Sequence, residues 1–399
     1  MIMFLRRRIK TLLVFIMIFS LTGCWSSKQI EDRTFNVGVA IDSGEEHSEE
    51  KDFQREGATY TKKDELTVTY QYVKTSTTKS EAQGTGQKKY INVSESGDSN
   101  HQMIRDISLR QEKPITFHHT KVIVINSELL KRQSLKDLLD YYLWDNELRP
   151  SCLVFVSNGP ARGVLESNKS EIIPAFRLIG MIDNSYRNTK ILEPMSLAKL
   201  RGNFDSGESY LLQNIYSLDG EIKFSGAAII NGKNNLLLDT INEDEFQGIN
   251  LLRRKITGGL IKTTDATSGK VIIYEIEALN TKIIPHVKKD NISFDVKIQS
   301  KGRISESWTN LTKSSGKSKV NEIEKLIELE TEKIIKNAIK KTQKDLNVDV
   351  AGFGNQLRIK YPQVWLKVKN NWDEIFSEIP INYSIKMEIT DFGYRELKQ

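Results

Sequence analysis

Cysteine is nearly missing: 399 residues hold two, Cys24 and Cys152. Two thiols cannot make a disulfide scaffold. Histidine is almost as scarce. Of His47, His101, His118, His119 and His286, none forms HExxH or an i, i+4 pair, so no zinc motif is present. With 8 prolines and 24 glycines the chain is neither collagen-like nor a low-complexity polymer. Long apolar runs are lacking too. The run Leu12–Leu21 falls well short of the ~20 residues that span a bilayer, and a mean hydropathy of −0.43 excludes a multi-span membrane protein. No G-x-S-x-G elbow and no GxxxxGK[ST] loop occurs. Gly84-Thr-Gly86 has no third glycine and no apolar strand before it, so it reads as a turn. Carboxylates are plentiful but unpatterned, and no hydrolytic pair stands out among them.

What is present is ordinary globular material: 38% hydrophobic and 28% charged residues. At roughly 100–200 residues per domain the length suggests two or three domains. The net charge is +6, but Arg6, Arg7, Arg8 and Lys10 stand before residue 24 without a compensating acid, and removing them leaves +2. A near-neutral body lacks the dense basic footprint of a nucleic-acid binder.

Those four cations form a positive n-region, and Leu12–Leu21 has the length of a secretory h-region. The run closes on Leu21-Thr22-Gly23-Cys24, which resembles a bacterial lipobox. Residues 1–23 are therefore expected to be a lipoprotein signal peptide. Cys24 would become the first residue of the mature chain, carrying S-diacylglycerol and an N-acyl group. Small residues at 22 and 23 open the scissile bond, and the thiol supplies the nucleophile. Stable anchoring takes two chains at about 0.8 kcal/mol per buried CH₂, and a diacylglyceryl group brings two. The body would lie outside the cytoplasm on a membrane surface.

Along the body, Asn36–Asp42 and 66–74 read as strands, with charged 43–65 and Ser/Thr-rich 75–88 as loops. Ser99–Arg110 is expected helical and Ile115–Asn126 a strand opened by His118-His119. Ser134 caps an amphipathic helix to Asn146. Ser151–Ser157 is a buried strand in which Cys152 is a core thiol. Short helices follow near 160–167, 171–183 and 194–201. Residues 201–221, rich in Gly, Ser, Asn and Asp, divide an N-terminal region (24–205) from a C-terminal one (222–395). In the latter, 221–230 and 235–239 flank an Asn231-Gly232 turn. Asn242 and Glu245 make a capping box, so the Glu243-Asp244-Glu245 triplet needs no metal. Strands are expected at 270–277, 280–287 and 292–300. An apolar stripe predicts a long helix at about 319–346. Pro362 opens a helix carrying Trp365, Val368, Trp372, Ile375 and Phe376 on one face, a core stripe in preference to a ligand cage. Ile381–Ile389 closes as a strand. The fold class is α+β or mixed α/β, multidomain, with amphipathic helices on mixed sheets.

Four ordered blocks carry a resemblance. The first joins Gly23-Cys24-Trp25, Ile30-Glu31-Asp32-Arg33 and Val37–Asp42. The second runs from Phe117-His118-His119-Thr120-Lys121 into Val122–Ile125, then Asp137-Leu138-Leu139 and Asp145–Arg149. The third holds Phe224–Ile229 and the Glu243–Leu252 helix, and the fourth Asp349–Gly354 and Trp365–Trp372. Together they resemble the Ger(x)C family, the C-subunit lipoproteins of spore nutrient germinant receptors. Two departures are a longer, more charged 43–65 and Thr120 in place of an aliphatic residue.

The resemblance implies a non-enzymatic subunit that acts with an A subunit and a polytopic B subunit. It would be tethered through lipidated Cys24 to the outer surface of the spore inner membrane and help trigger germination. It brings no catalytic residue, metal, cofactor or known ligand-binding residue, and no nucleic-acid partner. The competing readings are a solute-binding lipoprotein of a transporter, which would need two similar lobes, and an envelope hydrolase.

Overall fold

The computed structural model describes residues 34–44, 65–74, 88–169, 171–253, 256–265, 267–289, 291–309 and 316–391, with isolated positions at 8 and 55–57. The leader, Cys24, and most of 43–65 and 75–88 lie outside the described residues.

The first sheet starts with β1 (Thr34–Ser43), β2 (Leu66–Val73) and β3 (Tyr90–Gly97), antiparallel neighbours. α1 (Asn100–Ile107) follows, capped by Ser99, whose Oγ accepts from the Gln102 amide at 3.3 Å. Then come β4 (Ile115–Thr116), β5 (Val122–Asn126), α2 (Ser127–Leu130), α3 (Leu135–Trp144) and β6 (Leu153–Ser157). Three helices, α4 (Ala161–Val164), α5 (Pro174–Ile182) and α6 (Leu197–Ser206), precede β7 (Tyr210–Leu218), β8 (Glu221–Ile230) and β9 (Leu237–Ile241). The strand order is β3-β2-β1-β5-β6-β7-β8-β9, with β4 beside β1.

The centre, β1-β5-β6-β7, is parallel and its flanks are antiparallel. Parallel strands need crossovers and so are covered on both faces. That explains the unbroken apolar runs VIVI and LVFV. Ile123, Ile125, Val154 and Val156 pack under α1, α3 and α6, while Val122, Val124 and Phe155 pack under α4 and α5. Half-buried Asp42 fastens α4: its carboxylate accepts from the Ala161 and Arg162 amides (2.7 and 2.9 Å) and from Asn126 Nδ2 (3.1 Å).

In the C-terminal half, α7 (Glu243–Arg253) starts from a true capping box. Asn242 Oδ1 accepts from the Asp244 and Glu245 amides, and Glu245 Oε2 accepts from the Asn242 amide, all at 2.9 Å. β10 (Leu260–Thr264), β11 (Val271–Lys288) and β12 (Asn291–Ser307) follow, then α8 (Gly316–Ile339) with a π turn through Asp345. α9 (Phe353–Lys360), α10 (Pro362–Val368), α11 (Trp372–Glu378) and β13 (Ile381–Asp391) complete the chain. The second sheet is β10-β11-β12-β13, with β13 parallel to β12. α8 buries Ile323, Ile327, Ile335 and Ala338 in its core. α7 crosses α8 at Gly248, where a Cβ would stand 2.5 Å from that of Ala338.

The two sheets share that core. At Gly226 (φ +63°) β8 bulges, and a side chain there would collide with the Ile241 carbonyl. The bulge shifts alternation by one residue. Ile222 and Phe224 face the α4–α5 core before it. After it, Ala227 and Ile229 join the second-sheet core while Ala228 and Ile230 face α3 and α6.

The mixed α+β class and packed amphipathic helices are as expected from the sequence. Several elements differ. Ile115–Asn126 is two strands separated by a turn at Phe117–Thr120. The expected strands at 270–277 and 280–287 are one 18-residue strand. β3 and β10 were not expected. The tryptophan helix breaks at Lys369–Asn371 into α10 and α11. Residues 201–221 hold the end of α6 and all of β7, and β7–β9 continue the first sheet.

Candidate functional site

A cleft of about 1450 Å³ opens between the two sheets. Its walls come from the end of α6 and the start of β7 (Asn203, Glu208, Tyr210), from Thr281–Ile284 of β11, and from Asp349 through α9 to Trp372.

Asp349 organises the C-terminal wall. Its Oδ1 accepts from the amides of Ala351 (3.1 Å), Gly352 (2.9 Å) and Phe353 (3.2 Å). Its Oδ2 accepts from the Gly354 amide (2.6 Å) and Trp372 Nε1 (3.0 Å). One carboxylate thus satisfies the open amides at the start of α9 and fixes a ring 23 residues later. Trp365 meets Trp372 edge to face, with centroids 5.3 Å apart. Gly354 allows this approach: a Cβ would come 2.7 Å from Trp372 Nε1 and 3.0 Å from the Trp365 ring. Trp372 continues into Phe294, Phe353 and Phe376. The tryptophans are core residues whose outer edges line the cleft, not a cage.

Glu193, Glu208 and Asp373 also line the cleft. Desolvation raises the pKa of Glu208, opposed by the charge of Arg358. Desolvation also raises Asp373, while Lys233 pulls it down. Lys233 Nζ donates to the Asn370 carbonyl at 3.1 Å, bridging the cleft mouth. Among the described residues, no histidine and no cysteine lines the cleft. Its chemistry is that of a polar binding surface with a tryptophan wall. Its carboxyls come from distant segments, and the sequence offered only one signal, an acid set in the Gly207-Glu208-Ser209 turn.

The histidine pair lies elsewhere, in the turn between β4 and β5. His118 Nδ1 is 2.8 Å from Thr116 Oγ1 and 3.5 Å from Glu147 Oε2. The same Glu147 oxygen accepts from Thr116 Oγ1 (3.2 Å) and the Phe117 amide (3.1 Å). His119 packs its ring edge to face on Phe35 at 5.0 Å, and its pKa is lowered by desolvation and by Arg149 and Lys121. Thr120 Oγ1 accepts from buried Asn36 Nδ2 at 2.8 Å. The Thr120 hydroxyl thus gives the buried Asn36 amide an acceptor that an aliphatic side chain would not. The group ties the β4–β5 turn to β1 and to the segment after α3. Cys152 is fully buried, and burial pushes its thiol pKa well up. Among the described residues, no group of three or more His, Cys, Asp or Glu converges as a metal site, and no helix is long and apolar enough to cross a membrane. Cys24 lies outside the described residues.

Residues 26–215 match the family model described as spore germination protein N-terminal domain, and 225–393 match that described as spore germination B3/GerAC like, C-terminal. Spore germination protein YndF of Bacillus subtilis (strain 168) is 41% identical over 387 residues, 96% of each chain. Spore germination protein B3 of the same organism is 30% identical over 383 residues, 95% of this chain and 96% of the relative. A crystal structure of the GerBC protein superposes with a TM-score of 0.59 at 25% identity, covering 82% of this chain and 93% of that one.

Proposed function

Since the chain belongs to the Ger(x)C family of spore germination proteins, we propose that it is the lipid-anchored C subunit of a spore nutrient germinant receptor. The single observation that carries this reading is 41% identity to a spore germination protein over 96% of both chains. In this reading, residues 1–23 direct export and are removed. Cys24 carries the lipid, and regions 24–205 and 222–395 form the body on the outer surface of the spore inner membrane. A and B membrane subunits are its partners, and its role is assembly and signalling without catalysis. The tether confines the body to two dimensions, which raises its effective concentration beside those partners. In support, the basic n-region, short h-region and Leu21-Thr22-Gly23-Cys24 stand in the right order.

The test is deletion of the gene in its own spores, each nutrient then being tried in turn, with parent or Cys24→Ala chain restored. Deletion should abolish the response to at least one nutrient. Cys24→Ala should leave the membrane fraction and restore the response poorly. Unchanged germination on every nutrient would contradict the receptor role, and full membrane retention of Cys24→Ala would contradict the anchor.

A further inference from the structure

Between Asp349 and Asp373 the sequence contains no acid, yet it holds Arg358, Lys360, Lys367 and Lys369. The chain as a whole is nearly balanced, with 58 Lys and Arg against 52 Asp and Glu. α8 shows the usual arrangement: Lys319, Lys325, Lys333 and Lys336 each pair with a glutamate three or four residues away. On α9, α10 and the turn after them, none of the four cations has a carboxylate at ion-pair distance among the described residues. Arg358 donates to Asn355 Oδ1 (2.8 Å), although its charge is felt by Glu208. Lys360 Nζ donates to the Pro285 carbonyl (3.1 Å), which ties the corner to the β11–β12 hairpin bearing exposed Lys288 and Lys289. The Asp290 carboxylate follows them in sequence, and beyond the patch the acidic helix α11 carries Asp373 and Glu374 in its first turn and Glu378 at its end.

The same corner exposes large apolar side chains. Phe353 and Leu357 are buried, and Val364, Trp365 and Val368 pack against the core. Ile359 and Leu366 point outward, 66% and 56% exposed. On α10 the outer positions 362, 363, 366 and 367 make one face. Apolar tips among unpaired lysines fit poorly with a protein interface, where lysine is depleted. They fit a bilayer surface, where apolar tips enter the headgroup layer while lysine stems keep their ammonium groups among phosphates.

We propose that the α9–α10 corner docks on anionic lipid headgroups and fixes the orientation of the body on the membrane. The inference rests on the anchored reading only for its use in the cell. Residues 24–33 would reach at most about 35 Å, enough to hold the body near the bilayer but not to fix its rotation. A second, weaker contact would do so.

The test uses the chain from Trp25 onward, which lacks any anchor and keeps every described sheet and helix from β1 to β13. Flotation is measured with phosphatidylglycerol-containing vesicles and with phosphatidylcholine alone. The chain should bind the anionic vesicles only, and salt should release it. At roughly fivefold per charge near an anionic surface, the combined R358Q, K360Q, K367Q and K369Q variant should bind roughly several hundredfold more weakly. I359S with L366S should also weaken binding, and K333Q with K336Q on α8 should not. Far-UV circular dichroism and thermal melting confirm that each variant folds. Equal binding to neutral vesicles, no binding to anionic ones, or unchanged binding of the fourfold variant would overturn the proposal. So would a fourfold variant that fails in spores while the parent ignores vesicles, since the patch would then meet a protein. None of these failures touches the Cys24 reading, which membrane fractionation of spores tests separately.

Discussion

Asp349 shows how much one carboxylate can hold. It accepts four backbone amides and one indole N–H, so Asp349→Ala leaves several donors without partners. A lost helix cap and the stranded donors together should cost about 3 kcal/mol. Denaturant unfolding followed by tryptophan fluorescence measures this directly; a change below about 1 kcal/mol would show that water replaces the carboxylate. From the sequence, Gly352-Phe353-Gly354 is legible as a break between helices. The reason for it is not, because the partner Trp372 lies 23 positions on and Trp365 determines why residue 354 has no side chain. His118 is similar. The residue stands out in the sequence, but its partner Glu147 comes from beyond α3.

At the level of elements, α8 was legible because its apolar residues recur at helical spacing over many turns. How it docks was not legible. Asp265, in the β10–β11 turn, accepts from the Ser268 amide and hydroxyl (both 2.8 Å) and from Lys319 Nζ of α8 (3.1 Å). These bonds hold its pKa far below the usual carboxylate range, the Ser268 amide contributing most. The contribution to stability is complete above the unfolded value of about 3.9. It drains away as pH falls through that value toward the folded one. Asp265→Asn should therefore be less stable than the parent at neutral pH, by a gap that narrows in acid. Melting temperatures measured from pH 7 to 3 would show this, and a constant gap would assign the effect to shape alone. The β elements were harder to read. β3 buries Ser94, Glu95 and Ser96, a polar run that sequence patterning assigns to a loop. β11 and β12 shift register near Ala278, which breaks the strict alternation and makes one strand look like two. β10 follows Gly258-Gly259, so its five residues resemble a loop exit.

Across the whole molecule, two sheets share one core through β7 and β8, and the cleft lies where the chain returns from several distant segments. Such a cleft has no local signature, whereas the family blocks and the leader are contiguous and could be read from the sequence alone. The proposed receptor role depends on a covalent feature, the lipid proposed for Cys24. The most direct measurement is intact-mass and peptide mass spectrometry of the protein from its own spore membranes. A lipidated C subunit would give a chain starting at Cys24 whose first peptide carries the mass of a diacylglyceryl thioether with an acylated amine. A first peptide with an unmodified cysteine, or one that still includes residues 1–23, would contradict it.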